Sequence, residues 1–392
     1  MRFGFLPPFC LSLLLSTAFV LQARTAPQTA RSATVLSAND AHSILRDGVQ
    51  VLPKPLGPDT LSILDLQPSG LWAVRSSIDV PASVIGPPTA LTLTPDGRIA
   101  LAASASKPDP ADRRIVPDDR ISVIDLSGPR PRVIQQVASA PGTTTLRLTP
   151  DRKHVLAANG AGGVLTWFRF DGRHLGARKT IALPVENGFP GGLAITPDGR
   201  RALVSLWKGD RVLVLHIDGD DIALAPDPLE IGPGPWNIRL TRDGHYAVMG
   251  ILGHGEGLPG ALSVLDLTAS PIREIQRVRV PNAPEGLDIS ADGRYVAVVS
   301  QNGSALAPSS PRYHDRGIVT VFSLRDGHLA QLAQAPGTLW PQGLVFAPDG
   351  RTILVQGVMD RALRTLSWNG SALTVLGDTT LPGGGANIER QR

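Results

Sequence analysis

The sequence predicts an all-β fold: a seven-bladed β-propeller of four-stranded antiparallel blades, whose last blade is closed by strands from both termini. Three observations predict it. A strand–turn–strand pattern recurs six times, the recurrences are about 50 residues apart, and fragments of a seventh unit stand at the two ends of the 392-residue chain. One four-stranded sheet alone cannot bury both of its apolar faces, so we expect consecutive sheets to stack around a central channel.

The repeated pattern is clearest between residues 284 and 299. There Leu287 and Ile289 alternate with small or polar residues and lead into the turn at Asp292-Gly293. Alternation with a period of two is typical of a strand. Asp-Gly favours a tight turn because glycine accepts a positive φ without steric cost. The turn aspartates of the six units are Asp96, Asp151, Asp198, Asp243, Asp292 and Asp349.

A seventh unit can be assembled from segments at both ends of the chain. Residues 60–66 and 71–75 have the pattern of third and fourth strands that no first strand precedes. We expect residues 32–39 to supply the second strand and residues 386–390 to supply the missing first strand. Because the first and last strands then share one sheet, this pairing would protect the ring against opening.

The N-terminus has the composition of a secretory signal peptide. Arg2 gives it a positive start, an apolar run follows from 11 to 21, and small residues suit cleavage after Ala23 or Ala26. We therefore expect a signal peptide over 1–26 and a single propeller over 27–392. The one cysteine, Cys10, lies inside the leader, so the mature chain is expected to lack disulfides and thiolate metal sites. An exported chain of this kind suits a bacterial periplasm or secretion.

Charge and composition narrow the classes of function. The formal net charge is +4 and charges of both signs are interspersed, so the sequence does not indicate a nucleic-acid binder. No apolar stretch beyond the leader is long enough to span a membrane after signal cleavage. The sequence also lacks a Gly-x-Ser-x-Gly elbow and a phosphate-binding Gly-x-x-x-x-Gly-Lys loop. The expected partner is a small-molecule ligand or an envelope protein.

Propeller geometry sorts the polar residues by face. Loops that join a fourth strand to the next first strand, or a second to a third strand, gather on one face, here called the loop face. The Asp-Gly turns lie on the opposite face, the hairpin face. Three of the six tryptophans fall on the loop face, where they either recognise a ligand or plug the channel mouth. The candidate ligand-binding residues are Trp207, Trp236, Asn237, His254, Glu285, Asn302, His314, Trp340 and Gln342.

Three histidines predicted near the loop face, His42, His254 and His314, could meet at the channel mouth as metal ligands. Glu256 or Glu285 would then supply a carboxylate. No local ligand spacing such as His-x-x-x-His supports this arrangement. No cofactor is indicated, and a divalent metal is left open.

Three charged residues share one position in the channel strands, four residues before the turn aspartate. They are Arg147, Arg239 and Asp288. Arg239 and Asp288 fall on adjacent blades, so we expect them to pair in the channel wall in a structural role.

The heads of the channel strands also carry a family resemblance. They read Pro190-Gly191-Gly192-Leu193, Pro284-Glu285-Gly286-Leu287 and Pro341-Gln342-Gly343-Leu344, each followed by an Asp-Gly turn. In this the chain resembles the YVTN-repeat (YncE-like) seven-bladed propellers, which are related to the propeller lactonases. The resemblance covers nearly the whole mature chain and implies the propeller fold, a fold that hosts unrelated functions.

The lactonase branch typically carries Pro-Arg-His at the head of a channel strand and Asn-Glu after an early second strand. At the matching heads this chain has Pro235-Trp236-Asn237, Pro284-Glu285-Gly286 and Pro341-Gln342-Gly343, and its nearest approach to Asn-Glu is Asn39-Asp40. Similarity to calcium-dependent lactonase propellers, which ring a metal with Glu, Asn and Asp, would implicate Glu285, Asn237 and Asn187.

Two functions follow from these patterns. The first is an exported propeller that binds a ligand or a protein at the loop face, around the mouth of the channel. The alternative is a lactonase-like hydrolase that acts on a sugar lactone or another lactone. In that case Glu285 or a histidine at the mouth would activate water, with or without a divalent metal.

Overall fold

The computed structural model describes residues 1–4, 33–109, 111, 113–184, 188–255 and 257–392. In these residues the chain is all-β, with seven four-stranded antiparallel sheets arranged as the blades of a propeller. The predicted fold is therefore confirmed. Most of the predicted signal peptide, including both cleavage positions, lies outside the described residues. Across the described part of the chain, no helix has the length and apolar character needed to cross a membrane.

The channel is lined by the first strand of each blade, and these strands contact one another around the ring. The strands of each blade, from the channel outward, are Leu91–Leu93, Ile99–Ala103, Arg120–Asp125 and Arg132–Ala138 in blade 1; Thr143–Leu148, His154–Asn159, Val164–Phe170 and Leu175–Ala182 in blade 2; Pro190–Ile195, Arg201–Leu206, Arg211–Asp218 and Asp221–Leu224, with Leu229–Glu230 also on the third strand, in blade 3; Pro235–Leu240, Tyr246–Ile251, Gly260–Asp266 and Arg273–Val280 in blade 4; Pro284–Ile289, Tyr295–Ser300, Ile318–Arg325 and His328–Pro336 in blade 5; Pro341–Phe346, Thr352–Gly357, Ala362–Trp368 and Leu373–Thr380 in blade 6; and Gly384–Arg390, Val35–Asp40, Thr60–Leu66 and Trp72–Asp79 in blade 7.

Two short hairpins extend the loop face. One pairs Ile44–Arg46 with Val49–Val51, and the other pairs Ser106–Asp109 with Arg114–Pro117. They are inserted between the second and third strands of blades 7 and 1, where the sequence indicates long loops.

Blade 7 closes the ring in the predicted way. Its first strand comes from the C-terminus and pairs antiparallel with the strand that begins at Val35, so that Val35 faces Arg390 and Ala38 faces Asn387. The Asn387 side chain extends the seam into the next blade: its Oδ1 accepts a hydrogen bond from the backbone N–H of Ala90 at 2.8 Å. Its amide nitrogen donates to the carbonyl of Ser83 at 3.2 Å. The closing strand is therefore tied to both of its neighbours.

The core lies between the blades. Between blades 2 and 3, for example, Leu156 and Trp167 pack with Leu193 and Leu213, and all four side chains are buried. Burial of each such side chain contributes about 1.5–3 kcal/mol, so each interface stabilises the pair of blades that forms it.

The repeated turn has a repeated hydrogen-bond pattern. In five units a hydroxyl two residues before the turn aspartate donates to that carboxylate, as Thr241 does to Asp243 at 2.5 Å and Ser290 does to Asp292 at 2.6 Å. In the sixth unit this position is Ala347, and Asp349 instead accepts a hydrogen bond from the hydroxyl of Thr352 at 2.8 Å. The hydroxyl and carboxylate hold the backbone in the turn, which explains why these residue types recur.

Candidate functional site

Four aromatic side chains meet on the loop face of blades 3 and 4. We call Phe189, Trp207, Trp236 and His254 the aromatic cluster. The ring of Trp207 lies 5.5 Å from Phe189, 5.7 Å from Trp236 and 5.8 Å from His254, between centroids, and Phe189 stacks on Trp236 at 6.2 Å. Trp236 is buried, Phe189 and Trp207 are half-buried, and His254 is exposed. The cluster therefore presents aromatic surface to solvent above a buried indole.

The position of Trp236 follows from the repeat. The residue after the proline at the head of the channel strand is Gly191, Trp236, Glu285 and Gln342 in blades 3 to 6. A Cβ on Gly191 would lie 3.3 Å from the Trp236 ring, so this glycine leaves room for the indole to lie against blade 3. On its other side the indole Nε1–H donates to Glu285 Oε2 at 2.7 Å. Trp236 thus links the heads of three adjacent channel strands.

Glu285 is the buried carboxyl group beneath the aromatic cluster. Its side chain is almost fully enclosed, and Oε1 accepts a second hydrogen bond from Gln301 Nε2 at 2.8 Å. Burial raises the pKa of Glu285 from its ordinary value of 4.5 to about 8, although the hydrogen bonds from Trp236 and Gln301 act in the opposite direction. At neutral pH the group is therefore a carboxylic acid that can donate as well as accept.

Two buried amide oxygens lie on the channel strands beside Glu285. Asn237 donates through Nδ2 to the backbone carbonyl of Glu285 at 3.3 Å, while its Oδ1 has no hydrogen-bond partner among the described residues. Gln342 Oε1, at the head of the neighbouring strand of blade 6, is likewise buried and without a partner in the described part of the chain. A buried oxygen of this kind leaves an acceptor available to a bound group or to water.

His254 is held by a carboxylate from the neighbouring blade. Its Nε2 lies 2.8 Å from Asp210 Oδ1, and the same oxygen accepts the backbone N–H of Gly234 at 3.0 Å. Trp207 is fixed similarly, because its Nε1–H donates to the carbonyl of Gly253 at 2.8 Å. Contacts between the two loops therefore hold the rims of the cluster in place.

The other candidate residues lie elsewhere on the same face. Trp340 is buried against Val84, Val358 and Ala386, where it packs between blades 6 and 7 as a plug. Asn302 donates to the carbonyl of Arg316 at 3.2 Å and so ties together the long loop of blade 5.

On that same loop, His314 is exposed. Glu186, Asn187 and Glu256 lie outside the described residues.

His42 belongs to a different, buried group. Its Nδ1 lies 2.9 Å from Asp59 Oδ1 and 3.2 Å from Asp40 Oδ1, and its Nε2 lies 3.1 Å from the hydroxyl of Ser106. Burial lowers the pKa of His42, but the hydrogen bond from Asp59 and the charge of Asp40 outweigh it, so the pKa is raised overall. In the described part of the chain, Asp40, His42 and Asp59 are the group whose ligand atoms are close enough to share a metal ion, and neither His254 nor His314 is part of it.

The hydrogen bonds of these carboxylates indicate a structural clamp. The backbone N–H groups of Ala41 and Ala82 donate to Asp59 at 2.8 and 3.3 Å, and that of Val84 donates to Asp40 at 3.0 Å. Oxygens that already accept backbone hydrogen bonds would lose those bonds on turning to a metal ion. The group instead fixes the segment that enters blade 1 against the end of blade 7.

A calcium ion at Glu285 does not fit the geometry. Both carboxyl oxygens accept hydrogen bonds from Trp236 and Gln301, and burial keeps the group neutral near pH 7. Calcium prefers ionised carboxylates and carbonyl oxygens that are free to turn toward it. Of the implied ligand set, Asn237 is present beside Glu285, and Asn187 lies outside the described residues.

Sequence reasoning did not include three residues that shape the site: Phe189, Gln301 and Asp210. A signal for Phe189 exists in the repeat, because it precedes the head proline of its channel strand just as Trp340 does. Both residues adopt a positive φ, at 52°, as does Ala283 at the same position of blade 5. This bend turns the chain into the channel strand and directs the side chain onto the loop face. Gln301 and Asp210 lie in loops whose lengths differ between blades, so the repeat gives no signal for them.

Comparison with known proteins supports the fold. No protein-family model matches the chain, and no curated protein sequence matches it. Similar solved structures include a candidate 6-phosphogluconolactonase from Bacteroides uniformis, with a TM-score of 0.70 and 14% identity over 92% of this chain and 99% of that one. A second candidate 6-phosphogluconolactonase, from Bacteroides fragilis, has a TM-score of 0.69 and 15% identity over 93% and 99%.

The periplasmic gluconolactonase PpgL from Pseudomonas aeruginosa has a TM-score of 0.67 and 17% identity over 91% of this chain and 98% of that one. Identities this low show the fold alone. The chain is therefore a seven-bladed β-propeller similar in architecture to proteins named as lactonases.

Proposed function

We propose that the chain is an exported, YVTN-type propeller that binds a small ring-shaped ligand at the aromatic cluster on its loop face. The observation that carries the proposal is the stacking of Phe189, Trp207 and Trp236 directly over a buried, protonated Glu285. Export to a bacterial periplasm rests on the composition of the N-terminal leader.

The chemistry of the site favours a ligand that is apolar on one face and carries oxygen atoms at its edge, such as a sugar or a sugar lactone. Aromatic rings offer a large, rigid contact area that loses little side-chain entropy on binding. Glu285 offers a donor, and the free oxygens of Asn237 and Gln342 offer acceptors for hydroxyl groups. Few polar groups in an aromatic setting are typical of small-molecule sites.

Lactone hydrolysis is the second candidate, and the pKa of Glu285 favours it. A carboxyl group that titrates near pH 8 can transfer protons in either direction close to neutrality. In such a reaction the ionised fraction of Glu285 would take a proton from water as the water oxygen bonds to the lactone carbonyl carbon. The bond between that carbon and the ring oxygen would then break, and the proton would pass to the departing oxygen to give a hydroxy acid.

One set of measurements on the mature protein tests binding and catalysis separately. Tryptophan fluorescence and calorimetry would be followed with a sugar lactone such as gluconolactone, with the corresponding hydroxy acid and with the parent sugar. Release of acid from the lactone would be measured in parallel. We expect saturable quenching that Trp207→Ala weakens about tenfold or more, since central aromatic contacts dominate binding energies.

Glu285→Gln distinguishes the two functions because it keeps the shape of the side chain and removes the proton transfer. Binding that survives this change together with loss of turnover would support the hydrolase. Binding without turnover in the wild type would support the binding protein. Leu332→Ala removes an exposed apolar side chain on the outer strand of blade 5 and serves as the matched control. The absence of both quenching and turnover across the panel would contradict the proposal.

A further inference from the structure

A second, separate cavity lies at the opposite end of the channel, on the hairpin face. Its volume is about 470 Å³, and it is lined by channel strands of blades 1 to 4 and of blade 7. The charged side chains on its wall include Arg147, Arg239, Glu389, Arg390 and Arg392. None of these residues belongs to the aromatic cluster.

Asp288, at the base of blade 5, gathers three of the arginines. Arg390 Nε lies 3.2 Å from Asp288 Oδ2, and Arg392 Nη2 lies 2.9 Å from Oδ1. The pair predicted from the sequence, Arg239 with Asp288, is present at 3.9 Å between Nε and Oδ1. Arg392 also contacts Glu389 at 3.3 Å. Two carboxylates therefore serve a group that contains four guanidinium side chains once Arg147 is included.

Arg147 is the guanidinium left over. Its Nη1 donates to the carbonyls of Leu146 at 2.8 Å and Thr89 at 3.3 Å. Its Nη2 is shielded from solvent and has no hydrogen-bond partner among the described residues. Burial lowers the pKa of Arg147 to about 9, and the nearby positive charge of Arg239 lowers it further still in the same direction. An unpartnered cation beside another cation is costly unless an anion accompanies it.

We propose that this cavity is a binding site for a small dianion of the phosphate class, held by Arg147 and Arg239. The side chains on its wall exceed their two carboxylates by two positive charges, which matches the charge of a phosphate group. Guanidinium groups bind phosphate oxygens through charge-assisted, often paired hydrogen bonds. The cavity is larger than phosphate alone needs, so it also accommodates a small phosphate monoester.

The test is binding of inorganic phosphate, sulfate and a sugar phosphate to the folded protein at constant ionic strength, with acetate as the monoanion control. Thermal unfolding and calorimetry report the binding. A dianion at a hundredfold excess over its Kd shifts the folding equilibrium about a hundredfold toward the native state. Arg147→Met removes the unpartnered guanidinium and is expected to weaken binding about 10- to 100-fold, since a charged hydrogen bond is lost.

The matched control is Arg351→Met. Arg351 is exposed beside a turn on the same face and does not line the cavity. We expect this variant to bind dianions as the wild type does. Because Arg147→Met removes a buried repulsion, it should fold at least as stably as the wild type, and circular dichroism checks this.

Tighter binding of the sugar phosphate than of phosphate would assign an organic ligand, and equal binding would assign the free ion. Both results support the site. No saturable binding of any dianion by the wild type, or binding that Arg147→Met leaves unchanged, would overturn it. Because lactone binding at the loop face is measured independently, failure here would leave the proposed function standing.

Discussion

Replacing Glu285 with glutamine should change how the stability of the protein depends on pH. Below about pH 4.5 the carboxyl group is protonated in both the folded and the unfolded chain. Between that value and about pH 8 it is ionised only in the unfolded chain, because burial raises its pKa in the fold. Unfolding then releases a proton, so the free energy of unfolding of the wild type falls as pH rises through this window.

The size of the effect follows from the two pKa values. Each unit of displacement corresponds to about 1.4 kcal/mol, so the rise from 4.5 to about 8 amounts to roughly 4 kcal/mol across the window. Glutamine does not titrate. The unfolding free energy of Glu285→Gln relative to the wild type should therefore increase by about 1 kcal/mol for each pH unit between pH 5 and pH 8. Other titrating groups cancel in this difference.

Urea unfolding followed by far-UV circular dichroism at several pH values measures the difference. Glu230→Gln is the control for loss of a carboxylate, because Glu230 is exposed and pairs with Arg211 at the surface at 3.3 Å. A constant difference between Glu285→Gln and the wild type over the whole pH range would refute the reasoning. It would mean that Glu285 is ionised in the fold and that its role as a neutral donor is wrong.

Three further predictions concern other parts of the fold. Gly286→Ala should destabilise the protein by about 1–3 kcal/mol in urea unfolding, because the new Cβ would lie 2.4 Å from the backbone oxygen of Gln342; wild-type stability would contradict the close approach of blades 5 and 6. Thr352→Val should cost about 1–2 kcal/mol in the same assay, since it removes the acceptor of the Trp72 indole N–H at 3.1 Å. The stability that the wild type has over His42→Gln should be greatest below pH 6.5 and should shrink as pH rises through the raised pKa of His42; an advantage that grows with pH would oppose this.

The sequence predicts the architecture well because the repeat encodes it locally. The alternation of Leu287 and Ile289 and the turn at Asp292-Gly293 specify one hairpin, and the spacing of the turns specifies how many hairpins stack. Even the seam at Asn387 could be inferred, since its strand repeats the pattern of the other channel strands. The inserted hairpins on the loop face have no counterpart in the repeat, and the sequence indicated only long loops there.

The site could be predicted in part. Trp207, Trp236 and His254 were expected on one face, and the structure brings them together with Phe189. Which tryptophan lies over Glu285 and which plugs a blade interface, as Trp340 does, depends on small differences in loop path and on whether a glycine leaves room. Those are tertiary effects that a position in a repeat does not encode. The burial of Glu285, which sets its pKa, depends on neighbours from other blades and is equally invisible in the sequence.

The most direct test of the central claim is fluorine NMR of the mature protein labelled with 5-fluorotryptophan. The six tryptophans give six resonances, which single substitutions assign. On addition of a sugar lactone we expect the resonances of Trp207 and Trp236 to shift in a saturable way, while those of Trp167 and Trp368, near the hairpin face, stay in place. Shifts confined to Trp167 and Trp368, or no shift at any tryptophan, would contradict ligand binding at the aromatic cluster.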